Sequence, residues 1–103
     1  MLKGDTMNEK YLNKWNLAIE ELSRKEIKYD KLKKEHFEKS EEIIRTTDFK
    51  ELYGKNNADV RKAHIQNILS ELTQDILDLK YSISYLKRKL DWYKAMCNFQ
   101  LKQ

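Results

Sequence analysis

Proline is absent from this 103-residue chain, and glycine occurs only at Gly4 and Gly54. An all-β or loop-rich fold draws on both residues for its turns, so their scarcity excludes such a fold. The single cysteine, Cys97, has no partner for an intramolecular disulfide. No run approaches the roughly 20 consecutive apolar residues of a membrane span, and the first residues lack the apolar core of a signal peptide. The expectation is a cytoplasmic protein with no membrane partner, of a length that suits one domain.

What is present is charge. Asp, Glu, Lys and Arg make up 37% of the chain, with 21 basic and 17 acidic side chains. Residues 1–56 hold 13 basic and 12 acidic groups, residues 57–78 hold 2 and 4, and residues 79–103 hold 6 and 1. The net charge of +4 is therefore a local feature of the C-terminal quarter. Lysine outnumbers arginine and is accompanied by many Asn, Ile and Tyr residues. That usage points to an AT-rich coding sequence, as in a low-GC bacterium or its phage.

Periodicity assigns the elements. Residues 1–7 show no pattern and read as a disordered leader, within which Met7 is an alternative start. From Asn8, a suitable N-cap, Leu12, Trp15, Ile19 and Leu22 recur at helical spacing. The stripe slips near Lys25 and Glu26, then resumes at Tyr29, Leu32, His36 or Phe37, Ser40, Ile43 and Ile44, predicting a helix over 8–45 with a stutter. Its outer surface carries acid-before-base pairs four apart, such as Glu20–Arg24, Glu21–Lys25 and Glu35–Lys39. Each supports a helix by about 0.2–0.5 kcal/mol. A connector spans 46–57: Asp48 with Glu51 resembles a capping box, Phe49 and Leu52 give a short apolar face, and Gly54 suits a left-handed helix end.

A second helix over 58–100, capped by Asn56 or Asn57, carries the strongest signal. Ile65, Leu69, Leu72, Ile76, Leu79, Ile83, Leu86, Leu90, Tyr93 and Cys97 are spaced 4, 3, 4, 3 without a break. This is a coiled-coil seam, with a positions from Leu69 to Cys97 and d positions from Ile65 to Tyr93. The predicted fold is all-α, a long antiparallel helical hairpin with a helical turn in its connection, assembling into a multi-helix bundle.

The second helix also has apolar surface outside that seam. Tyr85, Trp92 and Phe99 share heptad position c, and Tyr81, Ile68, Leu77 and Met96 lie off the seam as well. Large aromatics left in water forgo roughly 1.5–3 kcal/mol each. A second copy of the chain, most simply as a dimer, or another protein is therefore expected on this stripe. Tyr81, Tyr85, Trp92 and Phe99 are the candidate anchors, with Arg88 and Lys89 steering an acidic partner. Lys80, Lys87, Arg88, Lys89 and Lys94 interleave with the same rings, which suits nucleic-acid contact too, although lysine stems beside a seam commonly cover apolar surface while the ammonium stays wet.

Catalytic chemistry finds no footing. His36 and His64 stand singly, and a metal-carboxylate bundle would place Glu three residues before each, where Lys33 and Arg61 stand. Phosphate loops, paired-cysteine zinc patterns and nucleophile elbows are all missing from the sequence. The expectation is a protein that is not an enzyme and uses no cofactor or metal.

The run from Asp48 to Ala63, DFKELYGKNNADVRKA, leading into the seam, resembles small uncharacterised helical proteins from the early, DNA-metabolism regions of temperate phages of low-GC Gram-positive bacteria. The resemblance covers about the C-terminal half. It implies an accessory factor that docks on a replication, recombination or host-defence protein in the bacterial cytoplasm, as an anti-CRISPR-like inhibitor would, or one that touches DNA itself.

Overall fold

The computed structural model describes the backbone of residues 3–102 and the side chains of residues 9–98. The fold is all-α, an antiparallel helical hairpin with a short helix in its connection: α1 (Lys3–Thr46), α2 (Phe49–Tyr53), α3 (Ala58–Ile68) and α4 (Ser70–Lys102). Packing divides it into two compact units, residues 1–28 with 79–103 and residues 29–78.

α1 begins at Lys3, ahead of the Asn8 cap, so most of the segment expected as a disordered leader is helical. Gly4 costs a helix only about 1 kcal/mol. Asp5 stands in the first turn, where negative charge is favourable, and no proline blocks extension. Of the acid-before-base pairs along α1, Glu21–Lys25 at 3.9 Å and Glu35–Lys39 at 2.9 Å close to ion pairs.

Of the expected stripe of α1, Trp15, Ile19, Leu22, Tyr29, Leu32, His36, Ser40 and Ile43 are half-buried, whereas Leu12, Phe37 and Ile44 are 45%, 65% and 40% exposed. Glu35 is half-buried too, and the central row runs Tyr11, Trp15, Ala18, Leu22, Lys25, Tyr29, Leu32, His36, Ser40, Ile43 and, just past the helix end, Thr47. Their spacing is regular through Lys25, so the helix does not slip there: the lysine stem occupies a seam position while its ammonium reaches Glu21. The irregular step, two intervals of four in succession, lies at Leu32, His36 and Ser40. Ser40 Oγ donates to the His36 carbonyl at 2.7 Å there, a bond that competes with the helix ladder. Lys25→Leu is therefore expected to stabilise the protein by about 1 kcal/mol, because added apolar burial exceeds the exposed ion pair it removes. A thermal melt would register this as a rise of roughly 4–8 °C, and an unchanged or lower midpoint would place Lys25 outside the seam.

In the unit formed by residues 1–28 and 79–103, Ala18, Ile83 and Leu86 are the most buried of the described residues, at 7%, 8% and 5% exposure. Antiparallel register is visible in two places: Tyr11 meets Trp92 ring edge to face, with centroids 5.8 Å apart, and Ala18 lines one groove with Leu86 and Tyr93.

The unit of residues 29–78 contains the connection. Asp48 caps α2 by accepting from the Glu51 amide at 3.0 Å. Gly54 ends it at φ 76°, donating its N–H to the Lys50 carbonyl at 2.8 Å. Asn57 caps α3 by accepting from the Val60 amide at 3.0 Å. Phe49 is 1% exposed, and its ring packs edge-on against His64 at 5.3 Å and stacks with Tyr53 at 6.4 Å. The Tyr53 hydroxyl hydrogen-bonds His64 Nδ1 and so closes the cluster. Leu52, expected beside Phe49, is instead 61% exposed, since a five-residue helix turns only one apolar side chain inward.

The continuous helix expected over 58–100 is interrupted at Leu69, which adopts φ −98° and ψ 23° between α3 and α4. Hydrogen bonds survive on both sides, from the Leu69 amide to the Ile65 carbonyl at 2.8 Å and from the Thr73 amide to the Leu69 carbonyl at 2.9 Å. Leu69 itself is buried at 7%. The break therefore leaves the side chain on the buried face while the backbone departs from helix at one residue.

Candidate partner-binding face

α3 and α4 together carry the seam, and α4 adds a second stripe of opposite character. On the seam, Leu69, Ile83 and Leu86 are buried, while Ile65, Leu72, Ile76, Leu79, Leu90, Tyr93 and Cys97 are half-buried. Off it, within residues 79–98, Tyr81, Tyr85 and Trp92 are 65%, 53% and 52% exposed. Arg88 is exposed between Tyr85 and Trp92. Tyr81, Tyr85, Arg88 and Trp92 are spaced 4, 3 and 4, which places them on one face of the helix. Met96 is half-buried, and the Phe99 side chain lies outside the described residues.

The members of the face differ in how free they are. Trp92, expected as an anchor for an external partner, also packs within the hairpin, edge-on to Tyr11 at 5.8 Å and to Tyr93 at 5.3 Å. Its indole is thus shared between the fold and the surface. The Lys89 ammonium lies 5.3 Å from the centroid of the Tyr85 ring. A side-chain hydrogen bond to Tyr85, with charge interactions with Tyr85 and Tyr93, raises its pKa above the ordinary lysine value. Lys89 stays charged at neutral pH and is held against the ring. Tyr81 and Tyr85 are the open part of the stripe.

The cations expected to serve nucleic acid, Lys80, Lys87, Arg88, Lys89 and Lys94, are all exposed. Among the described residues the ion pairs fall on α1 alone, and none involves these groups. The face is therefore positive as well as aromatic.

Elsewhere, Cys97 is a free, half-buried thiol. His36 and His64 are both half-buried, in different helices, and among the described residues no three His, Cys, Asp or Glu side chains converge as a metal site would require. No described helix is long and apolar enough to cross a membrane.

A stripe counted from Leu12 leaves out Tyr11, and periodicity does not reveal its pairing with Trp92, which lies off the α4 seam. The Phe49–Tyr53–His64 cluster left no periodic signal, because it joins a connector to a helix eleven residues later. No family model matches the chain, and no curated protein or solved structure is similar to it.

Proposed function

We propose that the chain is a non-enzymatic accessory protein of the phage type. It works in the cytoplasm of a bacterial host, where it binds, and as an inhibitor blocks, a protein of DNA replication, recombination or host defence. The partner docks on the aromatic-basic face of α4. The observation that carries this reading is the contrast between neighbours: Leu86 is 5% exposed on a satisfied seam while Tyr85 is 53% exposed beside it. Aromatics flanked by arginine dominate protein interfaces because they bring large area at small entropic cost. The positive rim selects an acidic partner and speeds its encounter.

Tyr81→Ser combined with Tyr85→Ser is the test, since neither side chain is needed by the hairpin, whereas Trp92 packs on Tyr11. Tagged wild-type protein should retain a discrete host protein from nuclease-treated lysate. The double variant should bind that purified protein at least 30-fold more weakly, the loss of one hot-spot residue of about 2 kcal/mol, with circular dichroism unchanged. A fall in the variant's own mass by light scattering would assign the stripe to self-assembly instead. Direct nucleic-acid binding is the second reading, favoured by the unpaired exposed cations. It requires a labelled DNA strand to be retarded at low salt and released steeply as salt rises, with Lys87, Arg88 and Lys89 replaced together abolishing the shift.

A further inference from the structure

A hollow lies within the unit of residues 29–78, between α1, α3 and the start of α4. It is a groove of about 430 Å³ whose lining includes His36, Ile44, Ala58, Arg61, Lys62 and Ile65. The volume falls in the range of small-ligand pockets, roughly 300–1,000 Å³. Its chemistry is asymmetric. Ile44, Ala58 and Ile65 supply an apolar wall, His36, Arg61 and Lys62 supply cationic or donor groups, and no carboxylate lines it.

Arg61 is already oriented. Its Nη1 donates to the Asn56 side-chain oxygen at 2.7 Å and to the Asn56 carbonyl at 3.3 Å. A guanidinium has five N–H donors, so this restraint by neutral acceptors leaves both its charge and further donors unspent. Among the described residues neither Arg61 nor Lys62 takes part in an ion pair. Ile44, at 40% exposure, is left part-open on the apolar side.

We infer that this groove binds a small organic anion, a molecule with one carboxylate, sulfonate or phosphate head on an apolar body. The head sits at Arg61 and Lys62, where charge-assisted hydrogen bonds are strongest, and the body covers Ile44, Ala58 and Ile65. The site is separate from the α4 face proposed above and stands or falls independently of it.

Anilinonaphthalene sulfonate is a suitable probe, and phenylnaphthylamine, the same ring system without the sulfonate, is its neutral control. Titration of the full chain should show the sulfonate binding at least tenfold more tightly than the neutral dye. Amide shifts on binding should gather at residues 58–66 and at Thr73. Lys62→Gln should weaken the sulfonate about tenfold without altering helicity, and Ala58→Trp, which fills the groove without changing charge, should abolish binding. The Tyr81→Ser, Tyr85→Ser variant should bind as the wild type does, because the stripe is elsewhere. Equal affinity for the neutral dye, shifts centred on residues 81–92, or retention of binding by Ala58→Trp would each overturn the inference.

Discussion

Phe49→Ala should destabilise the protein by about 3–5 kcal/mol, the range for removing a fully buried aromatic side chain. Phe49 is the most buried residue described, at 1% exposure, and the sole buried residue of α2. A five-residue helix cannot stand by itself, because helix nucleation costs more than so short a run of hydrogen bonds returns. The caps at Asp48 and Gly54 fix where α2 begins and ends, but it is the Phe49 ring against His64 and Tyr53 that fastens it to α3. With total stabilities of small domains near 5–15 kcal/mol, the loss is a large fraction of the whole. It should appear as a fall of roughly 2 M in the urea midpoint at unchanged slope. Amide exchange should accelerate first at residues 47–68, since local opening follows the elements that have lost their buried contacts. A midpoint within a few tenths of a molar of wild type would mean that α2 is dispensable to the fold.

How far the fold was legible depended on period. Where a helix repeats every three and four residues, as from Ile65 to Cys97, the seam can be read directly, and all of its residues are buried or half-buried. The caps at Asp48, Asn57 and Gly54 were equally legible, because each rests on local backbone chemistry. Lys25 was misread since a charged residue on a buried stripe looks like an interruption until its stem is seen to lie in the seam. The break at Leu69 was hidden for the opposite reason: its side chain fits the heptad perfectly, and the deviation is confined to φ and ψ. Neither Gly nor Pro marks it. The groove is lined from three helices, so no single segment encodes it. The candidate face on α4 was legible as a stripe, but the difference between Trp92, which leans on Tyr11, and Tyr85, which does not, is a tertiary fact.

The sharpest separation of fold from function comes from adjacent residues. Leu86→Ala should cost about 2–5 kcal/mol, whereas Tyr85→Ser should stay within about 0.5 kcal/mol of wild type. Leu86 is 5% exposed and shares its surroundings with Ala18 and Tyr93. Truncating so buried a side chain leaves a cavity that the neighbouring helices close only by moving their backbones. The unit of residues 1–28 and 79–103 has few other deeply buried side chains, Ala18 and Ile83 among them, to carry the load. Tyr85, the residue before it, is 53% exposed with the Lys89 ammonium against its ring, and at an exposed site such a cation–ring contact is worth about 0.5–1 kcal/mol. Urea titrations of both variants, followed by circular dichroism, measure the pair. If Tyr85→Ser proved as costly as Leu86→Ala, the stripe would be part of an assembled core, with a second copy of the chain covering it in solution. If only Leu86→Ala is costly, the Tyr85 face is surplus to the hairpin, and its aromatic area is available to a partner.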